Sequence, residues 1–201
     1  MPLNEADTRA KLIDPALHSK GWTEDAIKRE VTAGAIEIVG GVPRQRAAGR
    51  ADYTLRIKNS PSEQPVAVAL IEAKAENYPP NHGLQQGKAY ASSKRLNVPF
   101  VYSSNGHQFI EYDAFTHLTH DPRPMSEFPS PDELLSRYEE GKGFKVDSYA
   151  AKPLLIPYAK GESGIRYYQD AAIRAVFEKL ASGQNRALLT LATGSASSPT
   201  R

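Results

Sequence analysis

The chain has 201 residues, of which 40% are apolar and 24% charged, with a net charge of +2 and no cysteine. That length suits one sizeable domain, or a domain plus a fragment of another, with the composition of an ordinary globular protein. Disulfides and thiolate metal sites are excluded, and a cytoplasmic protein without a membrane span or leader is expected. The net charge is too small to identify a nucleic-acid partner by itself, although Arg44, Arg46 and Arg50 form a local basic cluster.

Residues 4–19 place Ala6, Ala10, Ile13 and Leu17 near helical spacing, with Pro15 predicting a break or kink. A second short helix is predicted from "GWTEDAIKRE", with Thr23 as its N-cap. Residues 36–39 alternate like a strand and lead into the basic loop "GVPRQRAAGR". Residues 52–58 set Tyr53, Leu55 and Ile57 against Asp52, Thr54, Arg56 and Lys58, the pattern of a half-buried strand. After the turn "NSPSEQP", residues 66–73 are almost continuously apolar, as expected of a central strand buried on both faces. A helix over 84–96 follows, then a hairpin with strands 99–103 and 108–113 around a Ser-Asn-Gly turn.

The region 121–131 is Pro-rich, and Ser130 before Pro131 caps a helix in "SPDELLSRYEEG". Residues 151–165 read as a linker, and "RYYQDAAIRAVFEKLASG" as a new helix before a short apolar strand, "ALLTLATG". Beyond Gly194, residues 195–201 form an atypical Ser-rich tail. This order predicts an α/β domain with a mixed sheet flanked by helices.

Three charges stand out. Asp52 opens one strand, while Glu72 and Lys74 share a face at the end of the next. Paired as a hairpin, the two strands bring Asp52 and Glu72 together with Lys74 alongside. A carboxylate near a sheet core is costly unless it is paired or binds a cation. Two hard oxygen ligands plus water suit Mg²⁺, and an adjacent ammonium can stabilise charge developing on a phosphate. On the following helix, Gln86 and Tyr90 lie four apart and so share a face. Read singly, each feature has an ordinary alternative: a solvated strand end, a surface glutamine, a core-edge tyrosine. His82, His107, His117 and His120 have no zinc-site spacing and read as surface residues, and Tyr167 and Tyr168 as packing residues.

The arrangement D-x19-E-x-K resembles that of the PD-(D/E)xK nucleases. Together with "GRADYTL", "VAVALIEAKAE", "GLQQGKAYA", "VPFVYSSNGHQFIEYD" and "FPSPDELLSRY", it resembles the N-terminal part of the R (motor and nuclease) subunit of type I restriction endonucleases. The resemblance covers nearly the whole chain and implies an Mg²⁺-dependent nuclease acting on double-stranded DNA over residues 1–150. It makes Asp52 and Glu72 metal ligands, Lys74 the catalytic lysine, Gln86 and Tyr90 an accessory motif, and Glu5 an additional metal-site acid. Arg44, Arg46, Arg50 and Lys88 are expected to hold the DNA backbone.

Residues 166–194 resemble the opening of a superfamily 2 helicase motor, with Gln169 at the adenine-reading position. After Gly194 the text lacks the phosphate-loop lysine, so a truncated motor is expected, with ATP bound only in an intact subunit. The implied partners are duplex DNA and the methyltransferase (M) and specificity (S) subunits, with no membrane. Two alternatives stay open: a catalytically silent DNA-binding or subunit-docking module, and a metal-free scaffold in which Asp52 and Lys74 form a structural ion pair.

Overall fold

The computed structural model describes residues 1–32, 36–39, 42–45, 49–92, 96–158 and 167–189, with backbone alone at 32, 36–39 and 42–45. It is a mixed α/β fold built on a mixed sheet. The first helical stretch comprises α1 (Glu5–Thr8), a π-helical turn (Arg9–Ile13) and α2 (Asp14–Ser19). Asn4 caps it by accepting from the Asp7 N–H at 2.8 Å. Pro15 does not end the helix. The widened turn before it accommodates a residue that has no N–H to give, as π-bulges do elsewhere.

The remaining elements are β1 (Ile27–Thr32), β2 (Ile36–Val39), β3 (Val42–Gln45), β4 (Arg50–Ile57), β5 (Val66–Ala73), α3 (Leu84–Ala91), β6 (Phe100–Ser104) and β7 (Gln108–Asp113). Two short strands, β8 (Leu118–Thr119) and β9 (Arg123–Pro124), precede α4 (Pro131–Lys142), α5 (Lys152–Leu155) and α6 (Tyr167–Ala181). The main sheet runs β1-β4-β5-β6-β7-β8, with β9 also on β7. Among the described residues only β5 and β6 pair in parallel, the other pairings being antiparallel. That parallel step is why α3 lies between them in sequence: a parallel neighbour needs a crossover.

Both faces of the sheet are covered, as the apolar run of β5 predicts. Ile71, Phe100 and Tyr102 join Ile13, Leu17, Trp22, Phe109, Phe128 and Tyr138 in one core. Leu70 and Val101 face the other way, against Leu84, Tyr90 and Leu96. The α4 cap carries the full reciprocal box: Ser130 Oγ accepts from the Glu133 N–H, and Glu133 Oε2 accepts from the Ser130 N–H at 2.6 Å. Such a cap contributes about 1 kcal/mol.

Five expectations are corrected. The stretch 27–32 is an edge strand, not a helix. Ile27 packs in the first core and Val31 against the second, with the left-handed Glu30 between them, and pairing with the open edge of β4 makes the stretch a strand. Residues 36–39 lie outside the main sheet, because β2 spends its backbone bonds on β3 in a separate hairpin. Helix α3 stops at Ala91 rather than residue 96, where Leu96 N–H returns to Tyr90 O and Val98 N–H to Ala91 O. The segment 149–155 is not an open linker: a short 3₁₀ turn and α5 bury Ala151, Leu154 and Leu155 in the first core. Residues 184–189 form no strand; the rest of that predicted strand and the tail lie outside the described residues.

Helix α6 is bound to this body. Arg174 donates to the carbonyls of Leu96 and Asn97, and Glu178 accepts from Tyr138 Oη at 2.7 Å and Lys142 Nζ at 2.5 Å. Among the described residues, no helix is long and apolar enough to cross a membrane.

Candidate active site

Strands β4 and β5 pair with Tyr53 opposite Ile71 and Thr54 opposite Leu70. One further step in that register sets Asp52 against Glu72. The parallel pairing of β5 with β6 continues past the strand end, since Lys74 N–H donates to Ser104 O at 2.8 Å. The backbone therefore fixes all three charges before any side chain is placed.

Asp52 is 9% exposed and Glu72 2%. Asp52 Oδ2 accepts from the Ala73 N–H at 2.8 Å, and its Oδ1 from Arg9 Nη1 at 3.2 Å. Lys74 Nζ donates to Glu72 Oε1 at 2.7 Å and to Gln86 Oε1 at 3.4 Å, and Gln86 Nε2 donates to Tyr90 Oη at 3.2 Å. Glu72 Oε2 is buried with no hydrogen-bond partner. An ionised oxygen left in that condition costs free energy unless a proton or cation reaches it.

The electrostatics follow. Burial pushes the Glu72 carboxyl up to about 7 against the pull of the Lys74 hydrogen bond, and the Asp52 charge adds to the rise. Burial also raises Asp52, with the Ala73 N–H and Arg9 holding it back. At Lys74, burial disfavours the ammonium, but the Glu72 bond and the charges of Glu72, Glu5 and Asp52 outweigh it and hold the proton on.

The start of α3 approaches closely. A Cβ on Gly83 would stand 2.7 Å from Glu72 Cγ and 2.9 Å from both Lys74 Cε and Ser103 Oγ, so glycine is required there. Gly83 N–H donates to Ser103 Oγ at 3.0 Å, which locks the helix start onto β6. This contact delivers Gln86 and Tyr90 to the cluster.

Asp52, Glu72, Lys74, Gln86 and Tyr90 thus converge as the spacing predicts. Glu5 Oε2 lies 3.8 Å from Lys74 Nζ and is half-exposed. Among the described residues, no group of three or more His, Asp or Glu side chains is placed to hold a metal ion. Lys88 turns elsewhere, its Nζ sitting 3.7 Å over the Tyr112 ring and 3.3 Å from Thr119 Oγ1. Arg50 is exposed and donates to Glu30 Oε2 at 3.2 Å. Gln169 is half-buried in α6, beside Asp170, which accepts from Tyr158 Oη at 2.7 Å. The Arg44 side chain and Arg46 lie outside the described residues.

Sequence reasoning missed Arg9, Glu30, Gly83 and Ser103. Arg9 was findable, since it stands one helical turn after Glu5 and therefore on the same face. Glu30 was not, because its stretch reads as a helix in isolation.

No protein-family model matches the sequence. The chain is 36% identical, over 96% of its length, to the type I restriction enzyme EcoAI endonuclease subunit of Escherichia coli, covering 24% of that protein. It is 25% identical, again over 96% of its length, to the EcoKI endonuclease subunit of Escherichia coli strain K12, covering 20% of it. A solved fragment of a putative HsdR subunit of a type I restriction enzyme from Vibrio vulnificus YJ016 superposes with a TM-score of 0.75. That match has 35% identity and covers 97% of this chain and 36% of the other. The chain spans roughly a quarter or less of the length of the curated relatives it matches. In sequence and fold it belongs with the type I restriction enzyme endonuclease (HsdR) subunits, as a counterpart of one part of them.

Proposed function

We propose that this chain is an Mg²⁺-dependent nuclease module of the PD-(D/E)xK type, cutting double-stranded DNA as part of a type I restriction R subunit. One observation carries the reading: two carboxylates from adjacent strands face each other under cover, one with an unpartnered oxygen, beside a lysine. A binding module gains nothing from a buried acid that it leaves unsatisfied. The residues present fit a hard divalent cation. Asp52 and Glu72 offer only oxygen donors, and Glu72 Oε2 has no competing partner. When bound, such an ion activates water and neutralises charge at a phosphate.

The chain's own groups do the rest. Lys74 presents its ammonium where negative charge builds on a phosphate oxygen as water attacks phosphorus and the P–O bond to the leaving strand breaks. Gln86 orients that ammonium and is itself held by Tyr90. Asp52 and Glu72 are kept at their positions by sheet register rather than by flexible loops.

We assign the nuclease core to residues 1–150 and the opening of an ATP-binding motor to 166–194. Duplex DNA and the M and S subunits are the partners this reading requires. A second reading, a silent docking module, draws on the Lys74–Glu72 ion pair at 2.7 Å, which by itself is also what a structural pair looks like. Plasmid cleavage by the complete complex, with and without Mg²⁺, separates the two. If Lys74→Ala cuts at the unmodified rate in that complex, the nuclease assignment is wrong.

A further inference from the structure

Arg9 touches the cluster at Asp52, whereas Lys74 bonds Glu72. Its Nη1 lies 3.2 Å from Asp52 Oδ1 and 3.6 Å from Glu30 Oε1, so one guanidinium bridges a buried acid and a half-exposed one. Glu30 adopts a left-handed backbone conformation, with φ of 53°, which a non-glycine residue holds only against a cost. Its other oxygen accepts from Arg50 Nη1 at 3.2 Å. A cavity of about 360 Å³ opens beside the pair, lined by Arg9, Glu30, Asp14, Arg29 and Tyr53 among others. Arg9 therefore has a second carboxylate within reach, room to shift towards it and no need of backbone movement.

The charge count explains why this matters. With all three ionised, Glu5, Asp52 and Glu72 supply three negative charges against the two positive ones of Lys74 and Arg9, a net of −1 that becomes −2 without Arg9. With a divalent cation between Asp52 and Glu72 and Arg9 still on Asp52, the same pocket is over-neutralised.

Resting on the metal reading above, we infer that Arg9 is an exchangeable placeholder for the cation. It holds Asp52 in the metal-free site and transfers to Glu30 when a divalent ion enters. Arg9 is a positioning residue in this scheme, and Glu30 is its receiver. Asp52 is thereby kept in its binding rotamer while the site is empty, and the protein gains an electrostatic threshold against premature metal loading.

The test is an Mg²⁺ titration of the full chain by calorimetry at neutral pH, paired with the Mg²⁺-induced rise in thermal midpoint. Arg9→Gln is expected to melt lower without Mg²⁺ and to bind Mg²⁺ roughly ten- to thirtyfold more tightly, the effect of one unit charge on a divalent ion about 4–6 Å away in a water-like dielectric. Glu30→Gln is expected to bind more weakly, since Arg9 then has nowhere to go. In the double variant the Glu30 effect should vanish, because the two residues act as one device. A purely structural Arg9 would weaken metal binding when replaced, the opposite sign.

Unchanged or weaker Mg²⁺ binding by a folded Arg9→Gln overturns the inference. So does a Glu30→Gln effect that persists undiminished in the double variant, which would mark a fixed field rather than an exchange. Glu30 is half-exposed, so its variant decides the matter if Arg9→Gln does not fold: unchanged affinity in Glu30→Gln overturns the exchange. A wild-type chain that binds no Mg²⁺ sinks the metal reading as well, whereas wild-type binding with indifferent variants sinks this inference alone.

Discussion

Two clusters of buried acids sit in this sheet, and they are built in opposite ways. On β7, Glu111 is 1% exposed and both of its oxygens are taken. Arg123 Nη2 donates to Oε2 at 2.9 Å, Arg137 to both oxygens, and Arg137 also to Asp113 Oδ2 at 3.2 Å. The Arg137 guanidinium lies 4.4 Å from the Phe100 ring centroid. At the paired ends of β4 and β5, Glu72 is equally buried, yet one oxygen has no partner and its proton is held up to about 7. A satisfied buried acid orders the fold. An acid left half-satisfied among other acids does not repay its desolvation through folding alone, and under the proposed function a cation would occupy that place.

The contrast breaks most sharply in a cleavage assay within the complete complex. Asp52→Ala and Glu72→Ala are expected to lose Mg²⁺ binding and cleavage together, while melting shows a retained fold. Loss of cleavage with Mg²⁺ binding intact would remove both residues from the metal site. Lys74→Ala should keep the metal and lower the cleavage rate by ~10²–10³, the usual effect of deleting one charged donor.

Glu111→Ala should do the reverse. It is expected to cost on the order of 3 kcal/mol of stability in chemical denaturation, because Arg123 and Arg137 lose their shared acceptor. It should leave metal affinity untouched. A stability loss for Glu72→Ala matching that of Glu111→Ala would erase the distinction.

Titration sharpens it further. Glu72 keeps its proton in the folded protein to a higher pH than its ordinary value of 4.5, so the folded state binds more protons than the unfolded one across that window. Its contribution to stability is therefore greatest below pH 4.5 and declines as the pH rises to about 7. Metal-free wild type should lose up to about 3 kcal/mol relative to Glu72→Gln over this range, and saturating Mg²⁺ should remove the difference. A pH-independent difference would show that the carboxyl is not held protonated.

The smallest expected effect concerns surface cations. Arg50→Ala should flatten the log–log salt dependence of DNA binding by about one unit, one phosphate contact's share. Lys88→Ala should leave the slope unchanged, because that half-buried ammonium is engaged with Tyr112 and Thr119, whereas the exposed Arg50 guanidinium uses one nitrogen on Glu30 and has others for a phosphate. A slope that falls for Lys88 and not Arg50 would reverse the assignment of the DNA-facing side.

Much of the candidate site is local in origin and so could be read from the chain. Alternation along 52–58 and the apolar run 66–73 specify two strands, a short turn makes them antiparallel neighbours, and period two places Asp52, Glu72 and Lys74 on converging ends. The four-residue spacing of Gln86 and Tyr90 is likewise a property of any helix. Long-range partners were not legible. Whether Ile27 and Val31 mark a helix or a strand depends on the free edge of β4, where their partners Leu55 and Ala51 lie 28 and 20 residues on. That Arg9 reaches Asp52, and that Glu30 waits beside it, depends on the π-turn ahead of Pro15 docking against β1 and β4. Sequence period fixes which face a side chain occupies, because the backbone repeat is intrinsic to each element. Only tertiary packing decides which charges from distant elements share a buried space, because desolvation and Coulomb energy depend on distance in space and not along the chain.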